Sequence, residues 1–195
     1  MKKSTYFLTL SILIISIVLG VASPSVAAET YTLDPDHSAV VFRIKHLGIA
    51  NVFGRFHHPV GRFTFDPQSP QKSHIQVQVA AKNVDTGVVK RDNHLRSADF
   101  FNVEKHPLIL FESRSVKAKD QNDFEVIGDI TLLGNTRTVT VLVTQTGEGM
   151  DPWGKYRRGF ETTFSIMRKD FGMDFMSGAV GDKVVLTISV EGVRE

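Results

Sequence analysis

Two arginines, two aspartates, a histidine and a pair of phenylalanines crowd into RDNHLRSADFF, Arg91 to Phe101. Residues of these types can do general acid–base chemistry, ligate a metal, or pair with one another and do neither. The rest of the chain does not complete a reactive constellation. His46 shares a strand face with Val40, Phe42 and Ile44, the usual surroundings of a hydrogen-bonded core histidine. The adjacent His57 and His58 would point to opposite faces of a strand. No H-E-x-x-H pair supports zinc, no G-x-S-x-G elbow presents a nucleophile, and no pair of carboxylates is singled out for glycoside hydrolysis. GEGMDPWG is glycine-rich but fits neither phosphate-loop spacing. The sequence holds no cysteine, which excludes thiol catalysis, iron–sulfur clusters and cysteine-ligated zinc.

The elements that must position these residues read as strands. Val40, Phe42, Ile44 and His46 alternate with Arg43 and Lys45. The same period of two places Ile75, Val77, Val79 and Ala81 on one face, then Val139, Val141 and Val143. Phe160, Thr162, Phe164 and Ile166 follow, and then Val184, Leu186, Ile188 and Val190. GRFTF, LILFES and FEVIGDITLL are further candidates, making about eight half-buried strands bounded by Gly, Pro, Asn or Asp. One polar face per strand means antiparallel sheets rather than a parallel α/β sheet. Closing such a sheet into a barrel removes its edges.

Helical signals are confined to residues 86–103. Asp85-Thr86 is a candidate N-cap, Asp92 and Arg96 form a favourable i,i+4 pair, and Ser97 can cap a further turn. Two connections are longer than hairpins need, Gln145–Gly159 and Arg168–Asp182. The second carries Phe171, Met173, Phe175 and Met176 and reads equally as a flap over a ligand, a plug, or a dimer contact.

Lys2 and Lys3, the apolar run Leu8–Val21 and small residues near Ala28 form the three-part pattern of a cleaved signal peptide over residues 1–28. The expectation is an exported, periplasmic chain with a single domain at 29–195 and no stable membrane anchor. Without the two leader lysines, 21 basic residues balance 21 acidic ones. That balance argues against a nucleic-acid binder and against purely electrostatic membrane attachment, while permitting a homodimer. Thirteen of the 14 phenylalanines lie in the mature chain. They suit a hollow apolar lining and a solid core equally well.

DHSAVVFRIKHLGIANVFGRF, RDNHLRSADFFNVEKHPLILFES, GDITLLGNTRTVTV, DPWGKYRRGFE and ISVEGV follow one another from Tyr31 to Val193. Together they resemble the YceI-like family of exported, lipocalin-like proteins. The resemblance implies an all-β antiparallel barrel whose apolar channel holds a polyisoprenoid or another long-chain amphiphile, such as an acyl lipid. It implies no catalytic residue, metal or cofactor. His106 departs from the tyrosine more usual in the family. On this footing strand parity assigns Phe42, Ile44, Phe56, Phe111, Phe124, Phe160 and Phe164 to the channel lining, with His46, Arg168 and Phe171 nearer a mouth. Leu95, Phe100 and Phe101 turn inward. The charges of Arg91–Phe101 then act as a structural latch or meet a ligand head group, since unpaired charges beside an apolar wall are costly. The rival functions are an interaction module with a filled barrel, and a lipid-modifying enzyme using His46 or His94.

Overall fold

The computed structural model describes residues 28–195, so the leader read over residues 1–28 falls, but for its last residue, outside the described part. Eleven strand segments are present. They are β1 (Glu29–Leu33), β2 (Ala39–His46), β3 (Ala50–Phe56), β4 (Val60–Phe65), β5 (His74–Ala80), β6 (Val84–Asp85), β7 (Leu108–Ala118), β8 (Asp123–Leu132), β9 (Asn135–Met150), β10 (Tyr156–Met167) and β11 (Val180–Arg194). All their pairings are antiparallel. β1 hydrogen-bonds both β4 and β11, which closes the sheet.

Eleven segments make eight staves, because three staves are broken. β1 and β2 both run along β11, with Leu33 opposite Gly192 and Ala39 opposite Ser189. The gap between them holds Pro35, which has no N–H to donate, and an Asp34 carboxylate that accepts from the Asp36 amide. β3 and β4 are separated by His57-His58-Pro59, where His58 has φ 55°. The histidine pair therefore lies in a break, not a strand. β5 and β6 are separated by a 3-10 turn at Ala81–Asn83. Each stave pairs with the next in chain order and the last with the first: the all-β, antiparallel, eight-stave barrel expected from the alternation.

The helical insertion is shorter than its signals. The one α-helix among the described residues, α1, spans Val89–Arg96 and has no side-chain N-cap. Asp85, expected to cap it, instead accepts from the Gly87 amide and pairs with His57 at 2.8 Å. The long connection at Gln145–Gly159 is also corrected. β9 continues to Met150 and β10 starts at Tyr156, so only a tight turn at residues 151–155 remains. Alternating glycines and charges there carry no apolar period, which is why the strand was not visible. A bulge lies in the same hairpin, between Gly159 and Phe160.

Arg157 fastens that hairpin to the barrel. Its guanidinium meets Asp151 and Asp34 at 2.7 Å and Glu191 at 2.5 Å. The guanidinium holds the Asp34 carboxyl well below the usual carboxylate range, and Asp151 likewise. Depressed carboxylates stabilise the fold above their unfolded pKa and lose that contribution as pH falls through the folded value. The expected result is a melting temperature that declines below about pH 4. Asp34→Asn should be less stable than wild type at neutral pH and nearly level with it in strong acid. Thermal melts of both chains across that range check the sign; a gap that widens in acid would contradict it.

Candidate functional site: an apolar channel with a polar mouth

Inward side chains from every stave surround a cavity of about 440 Å³ whose lining is almost wholly apolar. It stays open partly because the ends of phenylalanine rings reach across neighbouring staves. Phe42 rests over Gly54 and Phe111 over Gly128, each so close that a Cβ at the glycine would strike the ring. A second device is parity. A bulge between Ser113 and Ser115 in β7 inserts one residue, so Ile109 and Phe111 face inward before it and Val116 after it.

One end is closed by stacked rings. Tyr31 stacks on Phe63 at 4.8 Å between centroids, Phe63 and Phe65 each pack on Phe160 at 5.4 Å, and Phe65 meets Phe124 at 5.3 Å. Behind them Arg158 is buried, its guanidinium 4.7 Å from the centre of the Phe65 ring. It donates to Gln145 Oε1 at 3.0 Å and pairs with Glu148. Neighbouring Arg157 and Arg158 thus point to opposite faces of β10, one to a surface network and one into the floor. Period two along the strand demands that they diverge.

The other end is bordered by the β2–β3 hairpin, α1, and the segment following β10. Leu95, Phe100 and Phe101 turn inward as expected, and Phe101 meets Phe56 edge-on at 5.4 Å. The charged residues of Arg91–Phe101 are occupied locally. Asp92 is buried and accepts from the Thr86 amide and hydroxyl at 2.9 and 2.5 Å. Arg91 donates to the Thr86 hydroxyl and carbonyl, and Arg96 to the Lys82 and Val84 carbonyls, each at 2.7–2.9 Å. His94 meets Asp99 at 2.8 Å. The expected Asp92–Arg96 pair does not form, because the backbone groups of residues 82–86 recruit both side chains. This is a latch fastening α1 to the broken stave β5–β6.

Nine of the ten residues assigned from the sequence border the cavity: Phe42, Ile44, His46, Phe56, Phe111, Phe124, Phe160, Phe164 and Arg168. Phe171 does not. It is 1 % exposed, packed under the barrel end with Phe100, Ile130, Leu132 and Met173. Its 3-10 turn, Arg168–Phe171, tucks the ring below the mouth instead of presenting it there. Arg168 borders the cavity but is 2 % exposed, and its guanidinium donates to the carbonyls of Met173, Val180 and Gly181. It organises the segment and offers no free charge. The polar groups at the mouth are Lys45, His46, Thr86, Arg91 and His94. His106 lies outside the channel, against Gly134. Asp34, His37 and Glu191 are close enough to share a metal ion, but the Arg157 guanidinium already bridges the two carboxylates.

A closed apolar barrel with this inventory has known counterparts. Residues 31–192 match the YceI-like domain.

The chain belongs to the YceI-like family.

Protein YceI of Escherichia coli is 43 % identical over 197 residues, covering all of both chains. Among solved structures, Burkholderia cenocepacia BcnA superposes with a TM-score of 0.75 at 22 % identity, over 82 % of this chain and 98 % of that one. A polyisoprenoid binding domain from Saccharophagus degradans does so with 0.66 at 13 %, over 85 % and 98 %. These two likenesses establish the fold alone. In this YceI-like barrel the functional reading therefore rests on the cavity.

Proposed function

We propose that the protein is a periplasmic carrier that holds a polyisoprenoid or another long-chain amphiphilic lipid in its channel, with the polar end of the ligand at the mouth. The carrying observation is the cavity itself, lined predominantly by aliphatic and aromatic side chains from every stave, with Lys45, His46, Thr86, Arg91 and His94 at its mouth. Its volume falls within the range of small-molecule sites, about 300–1,000 Å³. A filled barrel, the alternative for a purely structural or interaction protein, has no such void. Each buried methylene contributes on the order of 0.8 kcal/mol, so an isoprene unit supplies roughly 3–4 kcal/mol gross. Several units outweigh the cost of immobilising the chain, and only the surplus appears as affinity. The neighbouring polyisoprenoid binding domain supports this class of ligand. The N-terminal leader pattern supports export, and its removal leaves the barrel domain.

Binding, not turnover, is the chemistry offered at the mouth. His94 is engaged by Asp99, and the His46 backbone carbonyl accepts from the Ile49 amide while its imidazole makes no hydrogen bond among the described residues. The test is native mass spectrometry on protein purified from its own periplasm, followed by solvent extraction. The expected result is the mature chain with a stoichiometric adduct that extracts as a prenyl or acyl lipid. Recovery at the bare mass, with no uptake of offered polyprenyl lipids, would refute the carrier.

A further inference from the structure

Exposed apolar side chains are not spread evenly over this barrel. Of the fourteen large hydrophobic residues exposed among the described residues, seven fall in three short segments around the mouth. The β2–β3 hairpin contributes Leu47, Ile49 and Phe53, and the start of α1 contributes Val88 and Val89. The segment before β11 adds Phe175 and Met176. These segments adjoin one another. The Leu47 amide donates to the Ala179 carbonyl at 2.7 Å, and the Phe175 ring lies 5.5 Å from that of His94 on α1. Thr86, just before α1, lies against Gly54 of β3.

Two of these residues hold backbone conformations that long side chains rarely adopt. Leu47 has φ 53° and Met176 φ 56°, in the left-handed region that Gly and Asn favour. Leu133 does the same at φ 52°, but its side chain packs on the cluster around Phe100 and Phe171. Leu47 has no such return. It is 55 % exposed, beside Gly48 in a turn where both φ angles are positive and Asn-Gly is the unstrained choice. Ile49, two residues on, is 81 % exposed.

Charge separates along the same rim. Residues 43–55 carry Arg43, Lys45 and Arg55, and residues 86–91 carry Lys90 and Arg91; the neighbouring acids are Asp85, opposite Arg55 in the strand register, and the buried Asp92, which is bonded to Thr86, and residues 172–180 add only Asp174. None of these five cations forms an ion pair among the described residues. The balanced charge of the whole chain conceals this local excess.

We propose that the mouth rim docks on an anionic lipid bilayer. Leu47 and Ile49 enter the interface, and Lys45 and Lys90 meet lipid phosphates. The channel then opens onto the acyl layer, not onto water. A strained, exposed apolar tip flanked by unpaired cations at the opening of an apolar channel fits this partner. The carrier reading gives docking its purpose, but docking itself is measured without cargo.

The test is co-flotation of the mature chain with vesicles of equal parts phosphatidylcholine and phosphatidylglycerol, against phosphatidylcholine alone. The expected result is flotation with the anionic vesicles that weakens in high salt. The double variant Leu47→Asn, Ile49→Ser should float roughly tenfold less. It should keep its melting temperature, because Asn suits the turn, and should take up a fluorescent fatty acid from detergent as wild type does. Leu142→Asn, on the barrel wall, should float unchanged. Absence of wild-type flotation, undiminished flotation of the double variant, or equal loss in Leu142→Asn would each overturn the proposal. Wild type that floats but takes up neither the fatty acid nor a prenyl probe would sink the carrier reading and leave the docking surface standing.

Discussion

Replacing Gly54 by alanine is expected to leave the barrel folded and to weaken its hold on a long-chain lipid by roughly tenfold. The added Cβ would stand 2.2 Å from the tip of the Phe42 ring and 2.9 Å from a Thr86 methyl, with no backbone atom among its three nearest neighbours. Both obstacles are ends of side chains, so the wall can stay in place while the ring moves. The space into which Phe42 can swing is the channel. A ring displaced into the lumen takes the place of about two methylenes of ligand, worth about 1.6 kcal/mol, and about 1.4 kcal/mol is a factor of ten in affinity. Stability should change little, since Gly54 has an ordinary strand backbone and alanine lowers the entropy of the unfolded chain. Titration with fluorescent acyl or prenyl probes of graded length checks this. Phe42→Leu placed on top of Gly54→Ala should recover most of the lost affinity. Wild-type affinity in a folded Gly54→Ala chain would mean that Phe42 does not border the bound ligand.

Gly128→Ala is not the same experiment. There the Cβ would meet the Phe111 ring but also the Glu112 carbonyl oxygen at 2.8 Å. Backbone cannot swing aside, so the loss should include stability. The two glycines show one way a barrel rich in phenylalanine remains hollow. Each ring lies across a neighbouring stave that has no side chain to push it into the lumen. Composition cannot reveal this, because the same rings pointing inward would fill the core.

Strand parity carried most of the site. Val40, Phe42, Ile44 and His46 border the cavity as their alternation required, and so do Phe160, Thr162, Phe164 and Ile166 in β10. Local sequence failed where a side chain's partner lies elsewhere in the chain. Asp92 and Arg96 have the spacing of a helix pair, yet Thr86 and the carbonyls of Lys82 and Val84 claim them. Arg168 stands at the end of an apolar strand face, where a free cation would suit a head group; three carbonyls from residues 173–181 enclose it instead. Phe171 shares an apolar run with Met173 and Phe175, and only the turn at Arg168–Phe171 decides that it points under the barrel end. Parity was reliable within a stave and silent about the segments that join staves.

Arg168→Ala should be among the most destabilising single changes in the chain, costing about 3–5 kcal/mol. Its guanidinium reaches Gly181 and Met173 carbonyls at 2.9 and 3.0 Å and the Val180 carbonyl at 3.2 Å, spanning both ends of the segment between the 3-10 turn and β11. Truncation leaves these acceptors without their donor and opens a void beside the cavity. For a domain of this size each kcal/mol shifts the melting temperature by about 2–4 °C, so a fall of roughly 6–20 °C is expected. Lysine should restore only part of this, because a single ammonium cannot reproduce the planar fork that serves three carbonyls. Function should suffer at a different step from Gly54→Ala. Met173 and Met176 lie in the same segment and border the cavity, so loosening it speeds ligand escape without narrowing the channel. Stopped-flow release of a bound acyl probe, measured well below the melting transition, separates the two effects. Arg168→Ala should release probes of every length faster, whereas Gly54→Ala should penalise long chains most. A variant that melts with wild type and releases at the wild-type rate would show that the carbonyl fork holds nothing in place, and the mouth would owe its shape to Phe171 and Met173 alone.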